Sequence, residues 1–87
     1  MSEYTWWVTK DILEDKYVSV LGPHDAVEED TARCTIPFRM YDDDGELYYE
    51  GVMSEECEGF EPLDDYGMPN AGCTEIRLLE DGKWVTL

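Results

Sequence analysis

Residues 34–41, Cys-Thr-Ile-Pro-Phe-Arg-Met-Tyr, alternate so regularly that Cys34, Ile36, Phe38 and Met40 share one side while Thr35, Arg39 and Tyr41 share the other. Successive side chains of an extended chain point to opposite faces, so this stretch is a strand with one buried face. Pro37 has no N–H for a ladder, which puts the strand at a sheet edge or turns residue 37 outward. The stretch after the turn, Glu-Leu-Tyr-Tyr-Glu-Gly-Val-Met, repeats the alternation, with Leu47, Tyr49 and Met53 on one face and Glu46, Tyr48, Glu50 and Val52 on the other. Gly45 supplies the positive φ that a tight turn needs, so residues 33–53 are expected to form one β-hairpin turning near Asp43 to Gly45.

Asp81-Gly82, between two further apolar and β-branched runs, marks a second hairpin at the end of the chain. Residues 3–10 and 16–22 read as two more strands, the latter closing at Gly22-Pro23. Residues 24–30 could form one helical turn, and 55–72, rich in Gly, Pro, Asp and Asn, read as the longest irregular stretch. The expected fold is mainly β, or α+β with a minor helical turn. It is a small antiparallel sheet of five to six strands built from hairpins, in one domain over residues 1–87. Its expected core is Trp6, Val8, Val18, Val20, Ile36, Phe38, Leu47, Tyr49, Ile76, Leu78 and Trp84. The adjacent pairs Trp6-Trp7 and Tyr48-Tyr49 each leave one ring on the other face.

Residues 38–51, Phe-Arg-Met-Tyr-Asp-Asp-Asp-Gly-Glu-Leu-Tyr-Tyr-Glu-Gly, with the run from Pro62 to Leu87, resemble small acidic proteins of bacterial and phage origin. The likeness spans roughly the C-terminal two-thirds of the chain. It carries no activity with it and implies only a phage or mobile-element context.

Charge sets the functional expectation. The formal net charge is −16 over 87 residues, yet 43% hydrophobic and 13% aromatic content are enough for a folded core. Duplex DNA carries one charge per about 1.7 Å, so this charge equals that on roughly 27 Å of duplex, close to the diameter expected of such a globule. Between Arg39 and Arg77 no Lys or Arg occurs, while Asp42, Asp43, Asp44, Glu46, Glu50, Glu55, Glu56, Glu58, Glu61, Asp64, Asp65 and Glu75 all fall inside. Solubility alone calls for interspersed signs, and a single-sign field opposes compaction, so the segregation invites an external partner.

Other chemistries find weaker footing. Aligning Gly45 with the glycine of a calcium-binding EF-hand loop puts Asp42 and Asp44 at ligand positions, but Met40 and Gly51 fall where the first and last ligands belong. His24, Cys34, Cys57 and Cys73 lack the close pairing typical of structural zinc. One histidine and three scattered cysteines offer few nucleophile–base combinations, so no metal, cofactor or enzymatic activity is expected. An odd cysteine number at wide spacing suits a reducing cytosol. No run approaches the ~20 apolar residues of a membrane span, and the start of the chain lacks a secretion-signal pattern, so a cytoplasmic protein is expected.

The leading expectation is a small acidic binding protein that masks the basic, nucleic-acid-binding surface of a partner, in the manner of DNA-mimic anti-restriction or anti-CRISPR inhibitors, without binding nucleic acid itself. Its contact residues would be Asp42, Asp43, Asp44, Glu46, Tyr48, Glu50, Glu55, Glu56, Glu58, Glu61, Asp64 and Asp65, with Tyr48 as an aromatic anchor. Two alternatives stay open: an immunity protein or antitoxin for a cationic nuclease, and an acidic β domain whose charge serves hydration in high salt.

Overall fold

Six strands, β1 (Trp6–Asp11), β2 (Lys16–Gly22), β3 (Cys34–Tyr41), β4 (Leu47–Ser54), β5 (Glu75–Glu80) and β6 (Lys83–Thr86), form one antiparallel sheet in the order β2-β1-β4-β3-β5-β6. The computed structural model describes residues 3–23 and 25–87, so His24 lies outside the described residues. The radius of gyration is 11.8 Å, with principal extents of 35 × 28 × 20 Å. The three local hairpins follow from their turn residues. At the β5–β6 turn, Asp81 (φ 51°) and Gly82 (φ 79°) both occupy the left-handed region, as a two-residue turn matched to strand twist requires. The pairing of β1 with β4 joins two hairpins and has no local signal in the chain.

The sheet is covered on one face. Trp6, Val8, Phe38, Met40, Tyr49, Met53, Ile76 and Leu78 are buried there, with Val18, Val20 and Ile36 packed against them. The cover comes from the segment expected to be irregular. Residues 63–71 are helical, opening into a π turn at Leu63–Gly67 and closing as α1, Met68–Ala71. Its prolines do not break it: Pro62, with φ −62° and ψ −35°, leads into the π turn, and Pro69 follows that turn, near the start of α1. Leu63 and Gly67 are buried one turn apart, and Gly72, at φ 72°, terminates the helix. The other helical turn is a 3-10 turn, Glu28–Arg33, later in the chain than the sequence suggested.

Two members of the expected core lie elsewhere. Met40 pairs with Tyr49 but Tyr41 pairs with Leu47, so Tyr48 is an extra residue in β4. That bulge moves Leu47 onto the uncovered face beside Tyr41 and lets Tyr48 pack against the core next to Tyr49, their rings 6.5 Å apart and edge-on. Trp84 also lies on the uncovered face, beneath the Arg39 guanidinium at 4.2 Å. Pro37 satisfies both readings of its position. It faces outward opposite Val52, and the ladder to β5 begins one residue later at Phe38, so β3 is an edge up to that point.

Candidate functional site: two acidic poles

The β3–β4 turn is built around Asp42. Its Oδ1 accepts the backbone N–H groups of Asp44 and Glu46, both at 2.9 Å, while its own N–H donates to the Glu46 carbonyl at 3.1 Å. Those bonds, that from Glu46 first, hold the Asp42 carboxyl below the usual carboxylate range. The Tyr48 hydroxyl is pushed up by its hydrogen bond to Asp42 and then by burial. Asp42 is therefore a turn-former, and Tyr48 is tied to it and to the core rather than standing between Glu46 and Glu50. Asp43, Asp44 and Glu46 remain at the tip as exposed carboxylates. Asp42→Ala is expected to lower the thermal midpoint by about 5 °C through loss of two turn hydrogen bonds, whereas Asp43→Asn should leave it within about 1 °C. Equal midpoints for the two variants would contradict this division of labour.

Asp11 pairs with Tyr49, and the Ile12 N–H donates to the Tyr48 carbonyl at 2.9 Å, so the β1–β2 turn lies beside the β3–β4 turn. It adds Glu14 and Asp15 to the same end of the sheet. Lys16 and Lys10 answer these locally, with Lys16 Nζ 2.7 Å from Glu14 and Lys10 Nζ 3.9 Å from Asp15. Sequence reasoning missed this contribution because these acids lie outside the segment without cations. The acidic turn between two apolar strands was visible, but the long-range pairing that places it was not.

Glu55, Glu56, Glu58 and Glu61 gather at the opposite end. Eight residues of β4 separate the two groups, or roughly 26 Å at strand rise. Glu56 Oε1 is 2.8 Å from Arg33 Nη2, and that bond holds its carboxyl below the ordinary range. Glu61 accepts the N–H groups of Glu58 and Gly59, each at 2.8 Å, and so fixes the entry to the helical segment. Glu55 and Glu58 are exposed. The 3-10 turn brings the exposed Glu28 and Glu29 to this end as well.

The remaining expected site residues join neither pole. Asp64 and Asp65 ride the helical cover, where Asp65 Oδ2 accepts the Trp6 indole N–H at 3.1 Å. Glu50 lies on the uncovered sheet face, 2.8 Å from Arg39 Nε. The twelve residues thus form no single lattice. They divide between two poles, the helical cover and one ion pair.

Few other arrangements among the described residues could hold chemistry. Cys34 and Cys57 both direct Sγ at the Thr5 carbonyl, at 3.7 and 3.6 Å. Burial pushes the Cys57 and Cys73 thiols up to about 11, so both stay protonated at neutral pH. Among the described residues no three His, Cys, Asp or Glu side chains converge as metal ligands. An open cleft of about 460 Å³ lies between Tyr4, Trp6, Leu21, Gly22, Pro23 and Asp65, whose carboxylate is already engaged by Trp6. No helix is long and apolar enough to cross a membrane among the described residues. Compared with family models, curated proteins and solved structures, the chain gives no match.

Proposed function

We propose that the chain is a small acidic binding protein whose poles occupy a basic, nucleic-acid-binding surface of a partner protein. The observation that carries this reading is where the cations are. Five of the six Lys and Arg side chains, all but Lys83, hold a carboxylate of this chain (Lys10, Lys16, Arg33, Arg39 and Arg77), while Asp43, Asp44, Glu46, Glu55 and Glu58 enter no ion pair among the described residues. The exposed carboxylates at the poles project from hydrogen-bonded turns at the two ends of the sheet, which lowers the ordering entropy that opposes docking onto Lys and Arg side chains that otherwise face phosphates. Steering by a −16 field speeds association with a cationic target and repels nucleic acid itself.

The test is capture of the partner, followed by competition against that partner's own nucleic acid across salt. Binding of the chain to the partner should weaken steeply from 50 to 500 mM NaCl, and chain and nucleic acid should exclude each other, because both draw on the same screened basic groups. A tip variant (Asp43→Asn, Asp44→Asn, Glu46→Gln) and a far-pole variant (Glu55→Gln, Glu58→Gln) locate the contact. The variant at the contacting pole should bind roughly ten-fold more weakly, mostly through slower association, with Asp42 left in place to keep the turn. Simultaneous binding of chain and nucleic acid to the partner, or wild-type competition by both variants, would reject masking.

A further inference from the structure

The uncovered sheet face is chemically unlike the rest of the surface. In register across four strands, Leu21, Trp7, Val52 and Pro37 form an apolar row, and the cross-strand pair Leu79 and Trp84 lies on the same face of β5 and β6. The adjacent row crosses all six strands as Tyr17, Lys10, Glu50, Arg39, Arg77 and Thr86. Each cation in it is stacked on a ring: Lys10 on Tyr17 at 5.4 Å, Arg39 on Trp84 at 4.2 Å and Arg77 on Tyr41 at 4.1 Å. Arg39 is also paired with Glu50, and Arg77 with Glu75. In a chain of net charge −16, this face holds three cations against two carboxylates, a local charge near zero.

We infer that this face is the contact between two copies of the chain, packed sheet against sheet. Its arginines already hold carboxylates and rings of their own chain, so desolvation leaves neither guanidinium unpaired, which is the usual obstacle to burying charge. Six strands at about 4.8 Å and six residues at about 3.3 Å give a projected face of roughly 600 Å², which side-chain relief brings toward the ~800 Å² per partner of a stable interface. Aligned sheets pack about 10 Å apart, with Trp7 and Trp84 at the contact, a residue type enriched among interface anchors. A second copy is the occupant that suits the charge. Joining the least charged faces keeps both pairs of acidic poles in solvent, whereas a basic partner finds its counter-charges at the poles and a nucleic acid strand meets a strongly anionic protein. This inference goes beyond the masking function and does not depend on it.

The experiment is sedimentation velocity on the intact chain from 10 µM to 1 mM in 50 and 500 mM NaCl, with Trp emission and acrylamide quenching recorded alongside. A monomer–dimer equilibrium is expected that tightens at least five-fold in high salt, because screening relieves repulsion between the −16 charges, the opposite of the salt trend for masking. Trp quenching should fall as dimer forms. Val52→Lys, with Leu79→Gln as a second and milder change, should weaken the dimer ten-fold or more while leaving circular dichroism and the thermal midpoint close to wild type. A monomer throughout, a dimer indifferent to both variants, or protection of Trp by a dT20 oligonucleotide in place of self-association would overturn the inference.

Discussion

Gly51→Val should leave the domain unfolded at 25 °C, with loss of near-ultraviolet dichroism and collapse of amide dispersion in NMR spectra. Gly51 lies in the middle of β4, opposite Val8 of β1 and Phe38 of β3. A Cβ there would stand 2.2 Å from the Trp7 carbonyl oxygen and 2.6 Å from Phe38 Cζ. Neither neighbour can yield cheaply. The carbonyl belongs to the adjoining strand, and the Phe38 ring is fully buried at the centre of the core. A whole domain of this size has a net stability of only about 4–13 kcal/mol, and forcing two central strands apart costs on the order of 4–5 kcal/mol or more. Gly45→Ala is the contrasting case. Gly45 has φ 79° but nothing within 4 Å of the added carbon, so its substitution should cost only about 1–2 kcal/mol of left-handed strain and leave a folded protein. If Gly51→Val melted within a few degrees of wild type, the close approach of β1, β4 and β3 would be wrong.

Gly51 also marks where the sequence could be read and where it could not. Alternation in residues 34–41 and 47–54 and the turn residues at Gly45 and Gly82 specify hairpins, because period and turn chemistry are local properties. The missing Cβ at Gly51 reflects a non-local fact, the pairing of β1 against β4, which no short window contains. The same limit explains Leu47 and Tyr48. Strict alternation puts Leu47 inside and Tyr48 outside, but one inserted residue at the end of the β3–β4 ladder exchanges their faces. Residues 63–71 hid their helix because Pro62, Gly67 and Pro69 read as breakers. Gly67 in fact lets the segment lie on the sheet, since a Cβ there would come within 2.6 Å of Met40 Sδ. For the candidate site, the amount of negative charge was legible and its placement was not. Glu46 and Glu55 look like members of one acidic run, but an eight-residue strand separates them.

Asp30→Ala should lower the thermal midpoint by about 10 °C at pH 7, the largest effect expected of any polar substitution in the chain. Asp30 is an acid of the 3-10 turn with a side chain only 1% exposed. Its Oδ2 accepts the Val27 N–H at 3.0 Å and its Oδ1 accepts from Arg33 Nη1 at 3.3 Å, while Arg33 Nη2 reaches the Glu3 carbonyl at 2.7 Å and Glu56. One carboxylate thereby fixes the crossover between β2 and β3 and positions the cation that ties down the far pole. The Val27 N–H, foremost, and then Arg33 hold its carboxyl below the ordinary carboxylate value. A depressed folded value means that ionised Asp30 stabilises the fold fully above the unfolded value, near 4, and that this contribution is lost as pH falls through the folded value. Asp42 and Glu56, whose carboxyls are also held below the ordinary value, lose stabilisation on acidification in the same sense, while lowering the overall charge relieves self-repulsion in a −16 protein. Wild type alone therefore mixes two trends, and the difference between wild type and Asp30→Asn separates them. Asparagine keeps the shape and one acceptor but has no charge to lose. The gap in midpoint between the two proteins should be widest at pH 6 to 7 and shrink steadily toward pH 2.5. A gap that stays constant across that range would mean that Asp30 acts only as a neutral acceptor and that the Arg33 pairing contributes nothing to the fold.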